Sequence, residues 1–477
     1  MIDRKEIMDF SREFVLTPNV IEKDYALGWV LAGISNHPEL SKSWVFKGGT
    51  CLKKCYFETY RFSEELDFTV VNSEHQNERF LINAFKEIAD WVYEAIGIQI
   101  PKDTIRFEVY TNPRDKISVQ GRIGYRGPLQ PGGALPRIKL DLTDDEVLVL
   151  DPVNREVHHP YSDKPADGIQ IQAYCFEELF AEKIRALAER LRPRDLYDVI
   201  HLHWHDSTKH RRDIILSTLE KKCRFKGISV PTIDILENKT ERAELETEWE
   251  NMLGHQVPVL PPFEQFWREL PELFEWLRRG VVKPAPSIMS AMGYAVDTAW
   301  RPPAMAHAWH ISTPLEAIRF AAVNRLCVDL TYQGSRRLIE PYSLRRTRDG
   351  NLLLYAVKHN TGEDRSYRVD RIQGAQITKI PFTPRYVIEL TTSGHISAPP
   401  TTMRPGGIGS IRPQRIRSTI KIPRISTSNY GPKYIFECSY CGKRFTRKTN
   451  NSNLSKHKDK HGYPCPGRTG FFVDMKS

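Results

Sequence analysis

Residues 44–67, WVFKGGTCLKKCYFETYRFSEELD, restrict the fold of this chain more than any other stretch. A short apolar strand, Trp44-Val45-Phe46, runs into two glycines and a hydroxyl residue, Gly48-Gly49-Thr50. The pattern predicts a helix carrying Leu52, Lys53 and Lys54, then a second strand with acids at alternate positions, Glu65 and Asp67. Paired glycines let backbone amides come close to a polyphosphate, and a helix start adds a favourable dipole. Residues two apart on a strand face the same way, so the two carboxylates converge. Hard oxygen ligands beside a phosphate cradle are what magnesium needs. Taken separately, the glycines would make an ordinary turn and the acids a solvated strand edge.

The order strand, Gly-Gly-Thr, helix, Ser-Glu-Glu-Leu-Asp is more specific than its parts. FKGGTCL…RFSEELDF resembles FKGGTSL…RFSEDIDL of the AbiEii/AbiGii family, toxin-type nucleotidyltransferases of bacterial toxin–antitoxin and abortive-infection systems. The chain has Glu65 where that family has Asp, and Cys51 where it has Ser. The segment Glu22-Lys23-Asp24-Tyr25 is similar to the family's EKDY and makes Lys23 a residue bordering the site. RIKLDLT (137–143) alternates, placing Lys139 and Asp141 on one strand face, and resembles the family's (R/K)KLDI. Residues 176–202 carry an apolar helical stripe, and Pro193 opens a second helix. Their E-x-x-x-E-K…RDLYDV pattern is similar to the family's last motif. The resemblance implies a polymerase-β-like fold with a helical C-terminal part and a nucleoside triphosphate as substrate. It implies that Lys47, Gly48, Gly49, Thr50, Ser63, Lys139 and Arg194 bind the nucleotide and that Glu65, Asp67 and Asp141 hold magnesium. Lys183 neutralises the phosphates, and Asp195 either orients that lysine or acts as general base.

Beyond about residue 280, a proline-rich stretch (281–312) reads as linker. Short strand runs separated by glycine turns over 313–385 predict a small Sm/SH3-like barrel. Leu330-Thr331-Tyr332, Arg337, Glu340-Pro341-Tyr342 and residues 367–372 resemble a WYL domain, which makes Tyr332, Arg337, Tyr367 and Arg371 candidate ligand contacts. Residues 391–433 have no acid and several arginines, a composition suited to a flexible basic tether. Over 434–475, Cys438-x2-Cys441 followed after fifteen residues by His457-x3-His461 has zinc-finger spacing, with Cys465 as an alternative fourth ligand. The expectation there includes a helix presenting His457 and His461 one turn apart.

The net charge of +10 favours nucleic acid as a partner. No run of about 18 apolar residues exists, so no membrane span is predicted, and the polar start MIDRKEIMDFSREF suggests the cytoplasm. Five scattered cysteines (Cys51, Cys55, Cys175, Cys223, Cys327) suit reduced structural thiols. The sequence therefore predicts an α+β multidomain protein: a transferase over 1–280, then the barrel and the finger. The family resemblance implies magnesium-dependent transfer of NMP from NTP to an RNA end such as a transfer RNA 3′ terminus. The expected zinc is structural, the finger is expected to contact RNA or DNA, and the resemblance implies a cognate antitoxin as partner. The rivals are a nucleic-acid-binding regulator with an inactive transferase fold, and NMP transfer to a protein hydroxyl.

Overall fold

The glycine and carboxylate motifs lie on a seven-stranded mixed sheet in the computed structural model. The structure describes residues 1–57, 59–112, 114–129, 133–205, 208, 211–280, 285–289 and 315–390. Toward the C-terminus it describes 433–438, 441, 443–447, 454–458, 464–465 and 470–476. Residues 1–403 form one compact unit and residues 404–477 another.

In chain order the strands are β1 (Trp44–Lys47), β2 (Glu65–Val70), β3 (Arg106–Thr111), β4 (Ile117–Gly124), β5 (Arg137–Thr143), β6 (Val153–Glu156) and β7 (Gln170–Ala173). Their spatial order is β3-β4-β5-β2-β1-β7-β6. β2 and β5 run parallel with Asp67 opposite Asp141, β1 faces β2 with Lys47 opposite Asp67, and Gln120 of β4 faces Asp141. Cross-strand partners share a face, so Lys47, Asp67, Asp141 and Gln120 form one row. The alternation explains why: Leu66 and Phe68 of β2 and Ile138, Leu140 and Leu142 of β5 are buried on the other face. There α1 (Arg4–Phe14), α2 (Pro18–Asn36) and α3 (Glu78–Ile96) join the core, with Phe85 of α3 against Trp44 and Phe107.

The polar face is roofed by α4 (Phe176–Arg190), α5 (Pro193–Trp204) and α6 (Arg212–Lys226). α4 follows β7 at once, and Thr69 of β2 hydrogen-bonds Tyr174 at 2.6 Å. Buried Lys222 of α6 pairs with Glu178 of α4 at 2.7 Å. The aromatic helices to residue 280 close this part, with Phe263, Phe266, Phe274 and Trp276 buried.

Helix α7 (Leu315–Val323) leads into β8 (Leu326–Tyr332), β9 (Ser335–Arg346), β10 (Leu352–Lys358), β11 (Asp364–Arg368) and β12 (Ile372–Pro381). Their order is β11-β10-β9-β8-β12, and among the described residues the edge strands do not pair, so the expected closed barrel is an open sheet. Closure needs both edges to meet; here α7 packs across β8, β9 and β12 and covers the apolar face instead. The expected linkers fall outside the described residues except for 285–289 and Lys433.

The C-terminal unit has a three-stranded sheet of β13 (Lys433–Cys438), β14 (Arg444–Arg447) and β17 (Gly470–Lys476), ordered β14-β13-β17. Between them β15 (His457–Lys458) pairs with β16 (Pro464–Cys465). The finger helix expected at His457 is thus corrected: that residue lies on a strand opposite Cys465. Asn450, Asn451, Ser452 and Asn453 before it are weak helix formers, and Gly462 and Pro464 after it stop one. No helix among the described residues is long and apolar enough to cross a membrane.

Candidate active site

A cleft of about 380 Å³ opens over the carboxylate row. Gly49, Ser63, Glu65, Asp67 and Asp141 form its floor, and Lys183, Arg194 and Asp195 its wall. At the end of β1 the chain turns through Gly48 with φ +79°, and a Cβ there would stand 2.1 Å from Asp67 Oδ2. Only glycine allows the turn and the close carboxylate together. Thr50 is buried and its hydroxyl donates to the Glu65 carbonyl, so its side chain ties the glycine turn to β2.

Burial and the facing Asp141 carboxylate push Asp67 up to about 7, against the pull of Lys47. Burial and then Glu65 also raise Asp141. This repulsion between oxygen-only donors is what a divalent cation relieves, so the pair fits magnesium. Glu65 Oε1 lies 3.3 Å from Lys139 Nζ; the lysine expected on phosphate is paired with the third carboxylate here. Lys23 pairs with Glu64 at 2.8 Å, one residue from Ser63 and Glu65, and Lys47 lies 3.4 Å from Glu182.

The wall is a chain of buried charges. Lys183 Nζ sits 3.3 Å from Asp195 and 2.7 Å from Asp198. Arg190 grips Asp195 through two bonds, of 2.6 and 2.9 Å, and Arg61 grips Asp198 through two of 2.7 Å. Burial raises both carboxyls, but these cations outweigh it and hold them below the usual carboxylate range. Burial likewise lowers Lys183, and the two carboxylates overcome it, keeping the ammonium charged. Arg61, Arg190, Arg192, Asp198 and Met252 were missed in the sequence. Two left a signal: Arg61 stands two residues before Ser63, and Asp198 one helical turn beyond Asp195.

On the second sheet the Tyr332 and Tyr367 rings meet edge to face at 5.1 Å, and the Arg337 guanidinium lies 5.4 and 5.9 Å from their centroids. Arg371 is exposed on the turn after β11 and makes no hydrogen bond or ring contact with them. In the C-terminal unit, donor atoms of Cys438, Cys441, His457 and Cys465 all lie within 4.8 Å of one another. Cys441 Sγ is 3.3 Å from His457 Nε2 and Cys438 Sγ 3.8 Å from Cys465 Sγ. Three thiols and an imidazole make a donor set suited to a tetrahedral soft-metal site. His461 lies outside the described residues.

Carboxylates in register beside a glycine turn are the working parts of a nucleotidyltransferase. The chain belongs to the AbiEii family: the model for the nucleotidyl transferase AbiEii toxin of type IV toxin–antitoxin systems matches residues 29–277, just over half of it. It is a nucleotidyltransferase, and residues 314–377 match the WYL domain. No curated protein matches the chain. Among solved structures, MenT4, a nucleotidyltransferase toxin from Mycobacterium tuberculosis H37Rv, is 16% identical over 58% of this chain and 90% of its own, with a TM-score of 0.40. JHP933 from Helicobacter pylori is 17% identical over 55% of this chain and 94% of its own, with a TM-score of 0.36.

Proposed function

We propose that this chain transfers NMP from an NTP to an RNA end, with a cognate antitoxin as its restraint. The observation that carries the reading is the row Lys47–Asp67–Asp141 beside the Gly48 turn, faced across one cleft by the clamped Lys183. The glycine turn, Lys47 and Ser63 receive the triphosphate, and Lys183, Arg190, Arg192 and Arg194 neutralise it. Asp67 and Asp141, with Glu65 alongside, would hold magnesium, which supplies positive charge at the α-phosphate when bound. The acceptor hydroxyl attacks the α-phosphorus in line; its bond to phosphorus forms as the bond to the bridging oxygen breaks, pyrophosphate leaves with that electron pair, and the acceptor's proton passes to solvent water. Asp195 is wholly buried and spent on two cations, so its part is to orient Lys183 rather than to take the acceptor's proton. Thr50 acts through the backbone turn it fixes. Cys438, Cys441, His457 and Cys465 hold zinc, and the basic segment around them attracts nucleic-acid phosphate. The Tyr332, Arg337 and Tyr367 cluster takes a ligand on the WYL sheet.

The test is transfer from each of the four α-phosphate-labelled NTPs to total RNA with magnesium. Label on RNA that disappears in Asp67→Asn is expected. Label on protein alone would move the acceptor to a protein hydroxyl. No label at all, with zinc-dependent RNA binding intact, would make the chain a regulator with an idle transferase fold.

A further inference from the structure

Asn324 lies in the WYL segment, between α7 and β8, yet its side chain is committed to α5, the helix that carries Asp195 and Asp198. It is completely buried. Its amide nitrogen donates to Phe320 O at 2.9 Å, which sets which way the amide faces. The amide oxygen accepts from the Tyr197 hydroxyl at 2.9 Å and lies 3.0 Å from His201 Nε2. Burial holds His201 down at about 4, so the ring is neutral at pH 7 and Nε2 carries the donated hydrogen. Tyr197 and His201 are one turn apart and flank Asp198. Tyr60 fills the space beside them, edge-on to His201 at 5.4 Å, and donates to Asp198 at 2.5 Å. Asp198 holds Arg61 and Lys183. Packed side chains therefore run unbroken from Asn324 to the lysine in the cleft. The backbone beside it is pinned separately: Gln265 donates to Asn324 O at 2.8 Å, and Arg325 pairs with Glu269 at 3.0 Å.

We infer that Asn324 is a positioning residue for nucleotidyl transfer, supplied by the WYL segment, which fixes the rotation of α5 and through Asp198 the place of the Lys183 ammonium. The inference rests on the transfer reading above. One buried acceptor serves two buried donors, so its loss leaves both unsatisfied and frees the helix to turn. The magnesium carboxylates sit on the sheet, away from this linkage.

The full chain is assayed with the labelled NTP it uses and total RNA, separating kcat from the KM for NTP. Asn324→Leu lowers kcat about 10-fold with KM nearly unchanged, the scale of a sub-ångström displacement at a reacting centre. Gln265→Leu, which removes only the bond to the backbone carbonyl, behaves as wild type. Should Asn324→Leu not fold, Tyr197→Phe removes one donor from the α5 side and lowers kcat about threefold. Wild-type kcat in Asn324→Leu and Tyr197→Phe overturns the inference while leaving the transfer reading intact. So does a loss that Gln265→Leu reproduces, because that would be general loosening. A wild-type chain that labels nothing removes the transfer reading, and the inference with it.

Discussion

Replacing Asp198 with alanine tests whether the buried charges around Lys183 behave as one unit. Asp198 is 0% exposed and accepts from Arg61 through both oxygens at 2.7 Å, while the Lys183 ammonium stands 2.7 Å away. The side chains of Arg61 and Lys183 are 2% and 10% exposed, so neither regains water when the carboxylate goes. Lys183 keeps Asp195 at 3.3 Å, but Arg61 keeps the neutral Gln256 oxygen at 2.8 Å. Removing one partner of such a pair costs about 3–5 kcal/mol, because an uncompensated charge stays buried. Because the first unit spans residues 1–403, each kcal/mol moves its thermal midpoint by only about 1–2 °C, and the midpoint falls by about 5 °C. Scanning calorimetry at neutral pH reads it. Adding Arg61→Met to Asp198→Ala recovers part of the loss, since a buried pair replaced by apolar groups of similar volume is tolerated. A fall of less than about 2 °C, or strict additivity in the double variant, would refute the reasoning: water would then reach these charges.

Gly48→Ala places a Cβ 2.1 Å from Asp67 Oδ2 at a backbone φ of +79°; it abolishes labelled transfer and weakens fluorescent-NTP binding, and near-normal turnover would sink the cradle argument. Metal analysis of the purified chain gives about one zinc per molecule. Cys465→Ser loses it while His461→Ala keeps it; the opposite result would restore the finger ligand set. Burial holds His158 at about 3 and His201 at about 4. The unfolded chain takes up those protons near pH ~6.5 and the folded chain does not, so their contribution is fully present above that pH and is lost as pH falls toward ~4. The thermal midpoint drops across this window, and His158→Gln flattens the slope; an unchanged slope would show that His158 is not the group involved. Lys139→Ala, which breaks a half-exposed pair with Glu65, changes stability by less than about 1 kcal/mol in urea unfolding.

Much of the cleft was legible because its parts are local. The Gly-Gly-Thr turn and the alternating acids of β2 and β5 are read from neighbouring residues, and so is the lysine on α4. Partners were harder. Lys139 reads as a free cation, and only the β2–β5 register sets it opposite Glu65. Thr50 reads as a ligand, and only the return of β2 beneath the turn captures its hydroxyl. Strand β7, four residues long, is too short to show a period, yet it seats α4 over the cleft.

Residue order by itself determined which segments alternate, which turn needs glycine and which helix carries the lysine, since each follows from the geometry of a few contiguous residues. It also singled out Cys438, Cys441 and His457 as candidate metal ligands and left the fourth open between His461 and Cys465. Tertiary structure alone decided that Asp67 and Asp141, far apart in the chain, stand in register on parallel strands. It decided that Asp195 and Asp198 clamp the lysine while Arg61 holds Asp198, that Cys465 joins Cys438 and Cys441 across from His457, and that the second sheet stays open beneath α7. Buried charges have no periodicity to betray them. Their partners are chosen by which helices and strands pack together, because an ion removed from water must find its counter-charge wherever the fold supplies one.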